Sequence, residues 1–290
     1  MMIHPDILAA EAAYGRFAPF YDAFAGHPAY AAWVRGLVVL AQAHGAGGGS
    51  ALDVACGTGN SIAPLLELGY EVTGVDAVAS MLDQARAKFG DRVPLHRADM
   101  AELPVLGAFD LVTCLNDPVN HLSTAARLTR ALAAMAANLR PGGILVFDTN
   151  TPVTYRSFFA PGTRTVPAGD GTLTWAGGGF AAGSATATIV LPGGATAPQL
   201  QHHHEPAAVA RAVRAAGLVL RAVQGQHDDG RRDPDLDPAV HTKAVWVCRR
   251  PGPTIQEEVR DEGQEEPEGG GPAARLHEGH LSGGPARVGG

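Results

Sequence analysis

Ser50-Ala-Leu-Asp53-Val-Ala-Cys-Gly57-Thr-Gly59-Asn60 decides how this chain folds. Its first half, 50–54, is a short apolar run of strand type. The residues after it, Ser61-Ile-Ala-Pro-Leu-Leu-Glu67, read as a helix. A strand therefore enters a helix through a glycine-rich turn. Gly57 and Gly59 permit a positive φ and let a ligand approach the backbone closely. The first N–H groups of the following helix have no partner within it. Asp76 ends a second apolar run, Tyr70-Glu-Val-Thr-Gly-Val75. An acidic residue about 20 positions beyond such a turn suits a ribose hydroxyl.

A nicotinamide dinucleotide would fit that outline, but the detail opposes it. No third glycine closes the turn, because Ile62 and Ala63 stand where it would fall. Asp53 at the turn would repel a pyrophosphate, whereas it can order the loop or meet a cationic ligand. A glycine turn that binds nothing is the plain alternative.

Strands are expected at 50–54, 71–75, 93–96, 109–115 and 143–148, alternating with helices at 60–68, 78–88, 123–139 and 205–216. Arg140-Pro-Gly-Gly143 stops the third of these helices before an apolar strand. The alternation implies an α/β fold: a Rossmann-like, doubly wound, mostly parallel sheet. The expected parts are an N-terminal helical cap (1–45), a core (46–150), a small β-lid (151–204), the C-terminal part of the core sheet (205–250) and a tail (251–290). In the lid, Thr172–Trp175 and Ala185–Val190 are read as two strands joined by Gly177-Gly-Gly179. Leu218–Val223 and Thr242–Cys248 are read as the last two strands, the final one antiparallel.

The chain has 290 residues and a net charge of −7. Eight carboxylates and three arginines lie in 251–290, so most of the excess charge is in the tail. That segment is rich in Gly, Pro and Glu and is expected to be disordered. The remainder is near neutral without a basic stripe, which argues against nucleic acid as a partner. No apolar run reaches membrane length. Met1–Asp6 lacks a secretory pattern. Cys56, Cys114 and Cys248 are far apart in apolar surroundings, the usage expected of free thiols in the cytoplasm.

Asp53-Val-Ala-Cys-Gly-Thr-Gly59 resembles the first motif of class I S-adenosylmethionine (SAM)-dependent methyltransferases. Val72–Leu82 resembles their second motif, and His96-Arg-Ala-Asp99-Met100 their third. The resemblance implies SAM as cofactor, with Asp76 on the ribose, Asp99 on the adenine amine and Met100 near the ring. It also implies Asp53, Ala55, Gly57, Gly59, Met81 and Leu115 as cofactor contacts. Tyr14-Gly-Arg-Phe-Ala-Pro-Phe-Tyr21-Asp22 is similar to a segment that closes over the cofactor in small-molecule methyltransferases. There Tyr14 would serve the cofactor and Tyr21 the substrate; alternatively, the two tyrosines form one face of a core helix.

Leu115-Asn-Asp-Pro-Val-Asn-His-Leu122 follows the fourth strand, where ligands meet a doubly wound sheet. It resembles the acceptor loop of bacterial amine and amino-sugar N-methyltransferases. That makes His121 a base or orienter, with Asn116 and Asp117 as substrate contacts; alternatively, His121 caps the next helix. His202-His-His204 has no partner ligands at zinc spacing, so no metal is expected there. Asp117, Asp148 and Asn150 could instead hold Mg²⁺, as in metal-assisted O-methyltransferases. The C-terminal part, through His241-Thr-Lys-Ala-Val-Trp246, resembles actinobacterial natural-product methyltransferases, peptide α-N-methyltransferases among them. The expected reaction is methyl transfer to a small-molecule or peptide acceptor, with nitrogen favoured. A non-catalytic SAM-binding protein and an NAD(P)-dependent oxidoreductase are the alternatives of other classes.

Overall fold

The computed structural model describes residues 3–26 and 28–252. All of the acidic tail but residues 251 and 252 lies outside the described residues.

An eight-stranded sheet forms the centre, in the order β11-β10-β12-β5-β4-β1-β2-β3. Its strands are β1 (Ser50–Val54), β2 (Glu71–Asp76), β3 (Leu95–Arg97), β4 (Phe109–Cys114), β5 (Leu139–Asn150), β10 (Val219–Gln226), β11 (Arg232–Asp233) and β12 (Lys243–Arg249). The pairings β1–β2, β2–β3, β1–β4 and β4–β5 are parallel. β12 lies antiparallel between β5 and β10. Strand order reverses between β1 and β4, and their carboxyl ends open the crevice where such sheets take ligands.

Alternation along the strands fills both faces. In β5, Leu145 and Phe147 face one layer while Ile144 and Val146 face the other. The first layer is covered by α6 (Ala125–Ala137) and α8 (Pro206–Ala215), through Leu128, Leu132, Met135, Val209 and Val213. The second is covered by α3 (Pro28–Ala43), α4 (Ile62–Glu67) and α5 (Ala79–Phe89), through Val34, Leu37, Leu65 and Leu82. Cys56, Cys114 and Cys248 are buried and unbridged. No helix among the described residues is long and apolar enough to cross a membrane.

Residues 151–202 hold more structure than expected. After α7 (Pro152–Ser157) comes a four-stranded antiparallel sheet of β6 (Gly162–Ala168), β7 (Gly171–Ala181), β8 (Ser184–Val190) and β9 (Thr196–His202). Gly177-Gly-Gly179 is not the connection between strands. It lies inside β7, where a register shift falls between Gly177 and Gly179. A Cβ on Gly177 would stand 2.0 Å from the Ala160 carbonyl oxygen, so close backbone packing explains the glycine. The turn falls at Ala182 and Gly183, both at positive φ.

At the N-terminus, α1 (Pro5–Tyr14) and α2 (Tyr21–Ala25) are separate helices joined through a 3₁₀ turn at Ala18–Phe20. Tyr14 and Tyr21 therefore do not lie along one helix face. Phe17 between them is buried with Trp175, Leu173 and Ile189 of the second sheet. This cluster fixes the helical cap against the antiparallel sheet.

Candidate active site

Two cavities meet at the carboxyl ends of β1, β2 and β4. The first is a cleft under α1. Its wall includes Tyr14, Ala55, Gly57, Asp76, Met81, Asp99, Met100 and Leu115, eight of the ten residues implied as cofactor contacts. Asp76 accepts from Gly57 N–H at 2.8 Å and from Val78 N–H at 2.8 Å. It thereby ties the glycine turn to the second strand. Burial raises its carboxyl group to about 6 against these hydrogen bonds. Gly57 has φ +55°, and a Cβ there would meet nothing within 4 Å, so the turn's backbone is open to a ligand.

Asp53 and Gly59 are placed differently from expectation. Asp53 is 1% exposed. It accepts from Ser61 Oγ at 2.5 Å and Thr113 Oγ1 at 2.7 Å. It braces the turn from beneath and does not face the cleft. Gly59 has φ +84°, and a Cβ there would stand 2.4 Å from Phe89 Cε2. Its glycine serves the packing of α5 and the left-handed backbone, not ligand approach.

Sequence reasoning missed Arg127, on α6, and Asp6, on α1; both line this cleft. Arg127 is 4% exposed. It donates from Nη2 to Asp99 at 2.6 Å and from Nε to Asp6 at 3.2 Å. Its Nη1 is buried with no protein partner. A buried guanidinium N–H left open costs desolvation unless a ligand accepts from it. The available signal was a lone arginine beside Leu128 on an apolar helix face. The cleft fits SAM on these grounds: carboxylates outnumber the one guanidinium, which suits a cationic ligand, Nη1 awaits an acceptor, and the turn is open at Gly57.

The second cavity, of about 570 Å³, lies between the helical cap, the antiparallel sheet and β12. Phe17, Phe24, Phe158 and Trp175 form an aromatic side; Asp117, Asn150, Gln201 and Lys243 form a polar one. That volume and mixture are typical of small-molecule sites. Tyr14, Tyr21 and Asn116 belong to both cavities and mark their junction.

The loop after β4 carries two non-glycine residues in the left-handed region, Asn116 at φ 71° and Asp117 at φ 62°. Asp148 holds that bend. It is fully buried and accepts from Asn116 N–H at 2.6 Å and Asp117 N–H at 3.1 Å. Lys243 Nζ stands 2.7 Å from Asp148 and 3.6 Å from Asp117. Asn150 and Gln201 donate to Asp117 at 2.5 and 2.7 Å. A lysine ammonium thus occupies the centre of the oxygen cluster considered for Mg²⁺, which opposes the metal-assisted reading.

His121 also departs from expectation. It lines the cofactor cleft and not the larger cavity. Its Nδ1 is 3.1 Å from the Leu200 carbonyl oxygen, so Nδ1 carries the proton and donates. Nε2 is then the acceptor for the Tyr14 hydroxyl at 2.9 Å. Burial lowers its pKa and keeps the ring neutral. It is not the cap of α6, since Thr124 takes that place by accepting from Arg127 N–H. Tyr21 accepts from Asn116 Nδ2 at 3.4 Å, and burial pushes its hydroxyl up to about 12. His202 and His204 are engaged by Ser184 Oγ and the Val119 carbonyl, away from any shared ligand position.

Residues 51–143 match the family described as a methyltransferase domain. A dTDP-3-amino-3,6-dideoxy-α-D-glucopyranose N,N-dimethyltransferase of Streptomyces fradiae is 33% identical over 202 residues, covering 65% of this chain and 77% of that protein. A dTDP-3-amino-3,4,6-trideoxy-α-D-glucopyranose N,N-dimethyltransferase of Streptomyces venezuelae is 31% identical over 119 residues, covering 41% of this chain and 50% of that protein. Among solved structures, a SAM-dependent methyltransferase of Clostridium acetobutylicum superposes with a TM-score of 0.68 at 19% identity, covering 82% of this chain and 99% of that one. A sugar N-methyltransferase of Streptoalloteichus does so at 0.56 and 28% identity, covering 75% and 85%. Motif order, the cleft at the sheet's reversal point and these relatives agree: the chain belongs to the S-adenosylmethionine-dependent methyltransferases.

Proposed function

We propose that this enzyme methylates nitrogen on an amine-bearing small molecule, an amino sugar or a related secondary metabolite. The observation that carries this reading is the junction formed by Tyr14, Tyr21 and Asn116 between the cleft and the aromatic cavity. The names of the Streptomyces relatives support nitrogen and an amino sugar.

Bound SAM supplies a methyl group activated on a sulfonium. The protein's task is to hold the acceptor's lone pair in line at near-attack distance. Aromatic faces at Phe24 and Trp175 suit the apolar faces of a sugar or a ring system. Asp117 and Asp148 against Lys243 leave one net negative charge beside the junction, which attracts a protonated amine. The Tyr14 hydroxyl donates to His121 and keeps its lone pairs for an acceptor N–H. A proton released by the amine can therefore pass to Tyr14 Oη while the phenolic proton moves to His121 Nε2. A neutral imidazole suffices for an amine whose pKa is about 8.

The test is methyl transfer to a panel of dTDP-amino sugars, free amino sugars and matched hydroxy sugars. Mass gain only on amines supports the proposal. Transfer to the hydroxy analogues at equal rate overturns it.

A further inference from the structure

A second group of titratable side chains stands at the rim of the large cavity and takes no part in the chemistry above. His227 follows β10, Asp233 ends β11, and His241 precedes β12. His227 Nε2 lies 2.9 Å from Asp233 Oδ2, and His241 Nε2 lies 3.0 Å from the same oxygen. All three ligand atoms fall within 4.8 Å of one another. Arg231 Nη1 donates to the other carboxylate oxygen, Oδ1, at 2.5 Å, which leaves Oδ2 to the two rings.

We infer that His227, Asp233 and His241 form a binding site for a divalent transition metal of the zinc class, at the rim of the acceptor cavity. Two imidazoles and one carboxylate are the donor set of three-ligand zinc sites, which keep a fourth position for water or a ligand. Tetrahedral bonds of about 2.0–2.1 Å place ligand atoms roughly 3.3 Å apart. The two imidazole–carboxylate pairs, at 2.9 and 3.0 Å, need to widen by only a few tenths of an ångström to reach that spacing. Imidazole donors favour zinc, cobalt or nickel over magnesium or calcium.

The surroundings of His241 fix the position of its ring. It is 3% exposed. A Cβ on Gly225 would stand 2.1 Å from its Nδ1, so the glycine makes the space the ring fills. Nδ1 accepts from the Asp237 N–H at 2.9 Å and lies 3.0 Å from the Asp237 carbonyl oxygen, which can accept from it once the ring proton stands on Nδ1. Metal-bound histidines commonly donate their other N–H to such a carbonyl. On binding, each ring gives its Nε2 lone pair to the ion, and the single proton of the neutral ring moves from Nε2 to Nδ1, where for His241 the Asp237 carbonyl accepts it in place of the N–H contact. His227 and Asp228 belong to the cavity wall. An ion here would pin the turn after β10 to the start of β12 at the mouth of the acceptor site.

The experiment uses the full chain, treated with chelator and then titrated with Zn²⁺ by calorimetry and with Co²⁺ by visible absorption. We expect one ion per chain, intense tetrahedral Co²⁺ bands, and a melting temperature raised by about 5 °C at a hundredfold excess over Kd. Mg²⁺ should give none of these. His241→Ala and the more conservative Asp233→Asn should each weaken binding by at least the 10–100-fold that supporting-shell losses cost. Retained SAM binding serves as the check that each variant folds, and His202→Ala should bind as the parent does. The inference falls if no stoichiometric binding occurs, the group then being only a hydrogen-bonded brace. It falls equally if folded Asp233→Asn binds Zn²⁺ as tightly as the parent.

Discussion

The cofactor cleft and the acceptor cavity share one wall but are assembled in opposite ways. The cleft is made mainly by consecutive strand ends: the turn after β1, Asp76 ending β2, Asp99 after β3 and Leu115 after β4. Each is a local motif, set by the residues within a few positions of it. The acceptor cavity takes Phe24 from the helical cap, Trp175 and Gln201 from the antiparallel sheet, and Lys243 from β12. These positions are scores of residues apart and meet only through the tertiary fold. Local chemistry governs the first region, and long-range packing the second.

The long-range region is most vulnerable at Lys243. Its ammonium is the counter-charge of the fully buried Asp148, which in turn holds the Asn116–Asp117 bend. Removing one member of a buried pair costs about 3–5 kcal/mol. Lys243→Ala should lower the melting temperature by roughly 10 °C, at 2–4 °C per kcal/mol for a protein of this class. Asp148→Asn combined with Lys243→Met should recover much of that loss. A melting temperature within 2 °C of the parent for Lys243→Ala would show that the pair does not support the cavity.

The next effect belongs to the local region. Asp76→Ala should weaken SAM binding by about 1.5–3 kcal/mol, the range for hydrogen bonds to a charged group. Calorimetry should read roughly a 10- to 150-fold rise in Kd. An unchanged Kd would remove Asp76 from the cofactor site. Asp53 gives the contrast, because it is buried beneath the turn and forms no part of the cleft wall.

What could be read from the sequence follows the same division. The central strands and helices emerged nearly at their observed bounds because each has its own apolar period and stop signal. The antiparallel sheet is less legible: Gly177–Gly179 looks like a turn, and only the approach of the Ala160 backbone explains it inside a strand. Arg127 was invisible as a site residue because its partners, Asp6 and Asp99, lie 121 and 28 positions away. His121 stands out in the sequence as a candidate, but the direction of its ring does not, since Leu200 and Tyr14 set it.

A smaller effect tests the junction itself. Tyr14→Phe removes the hydroxyl between the amine and His121. It should lower turnover about tenfold at pH 7, the low side of general-base losses, because an amine is partly neutral already. The defect should shrink as pH rises toward 9. His121→Ala should do the same, and the double variant should be no worse than either single one, since both residues act on one proton path. Additive losses would mean that the two act separately.

The smallest expected effect is the pH dependence of SAM affinity, and its sign separates Asp76 from the rest of the fold. Burial lifts the Asp76 carboxyl from the ordinary 3.8 to about 6. Above that value it is ionised and accepts from ribose hydroxyls; below it the bound proton removes part of that capacity. Affinity should therefore be level above pH 7 and fall at lower pH, by no more than about tenfold one unit below the pKa. Stability runs the other way. A carboxyl whose pKa is higher in the folded state stabilises the fold at acid pH, and this contribution is lost as pH rises through about 6. Asp53, also lifted to about 6, contributes with the same sign to stability but makes no contact with the cleft. The acid loss of affinity should thus persist in Asp53→Asn and disappear in Asp76→Asn. Calorimetric titrations from pH 5 to 8 on both variants decide it: a loss that follows Asp53 instead would mean the buried floor of the turn, and not the carboxylate on the cleft wall, sets how the cofactor is held.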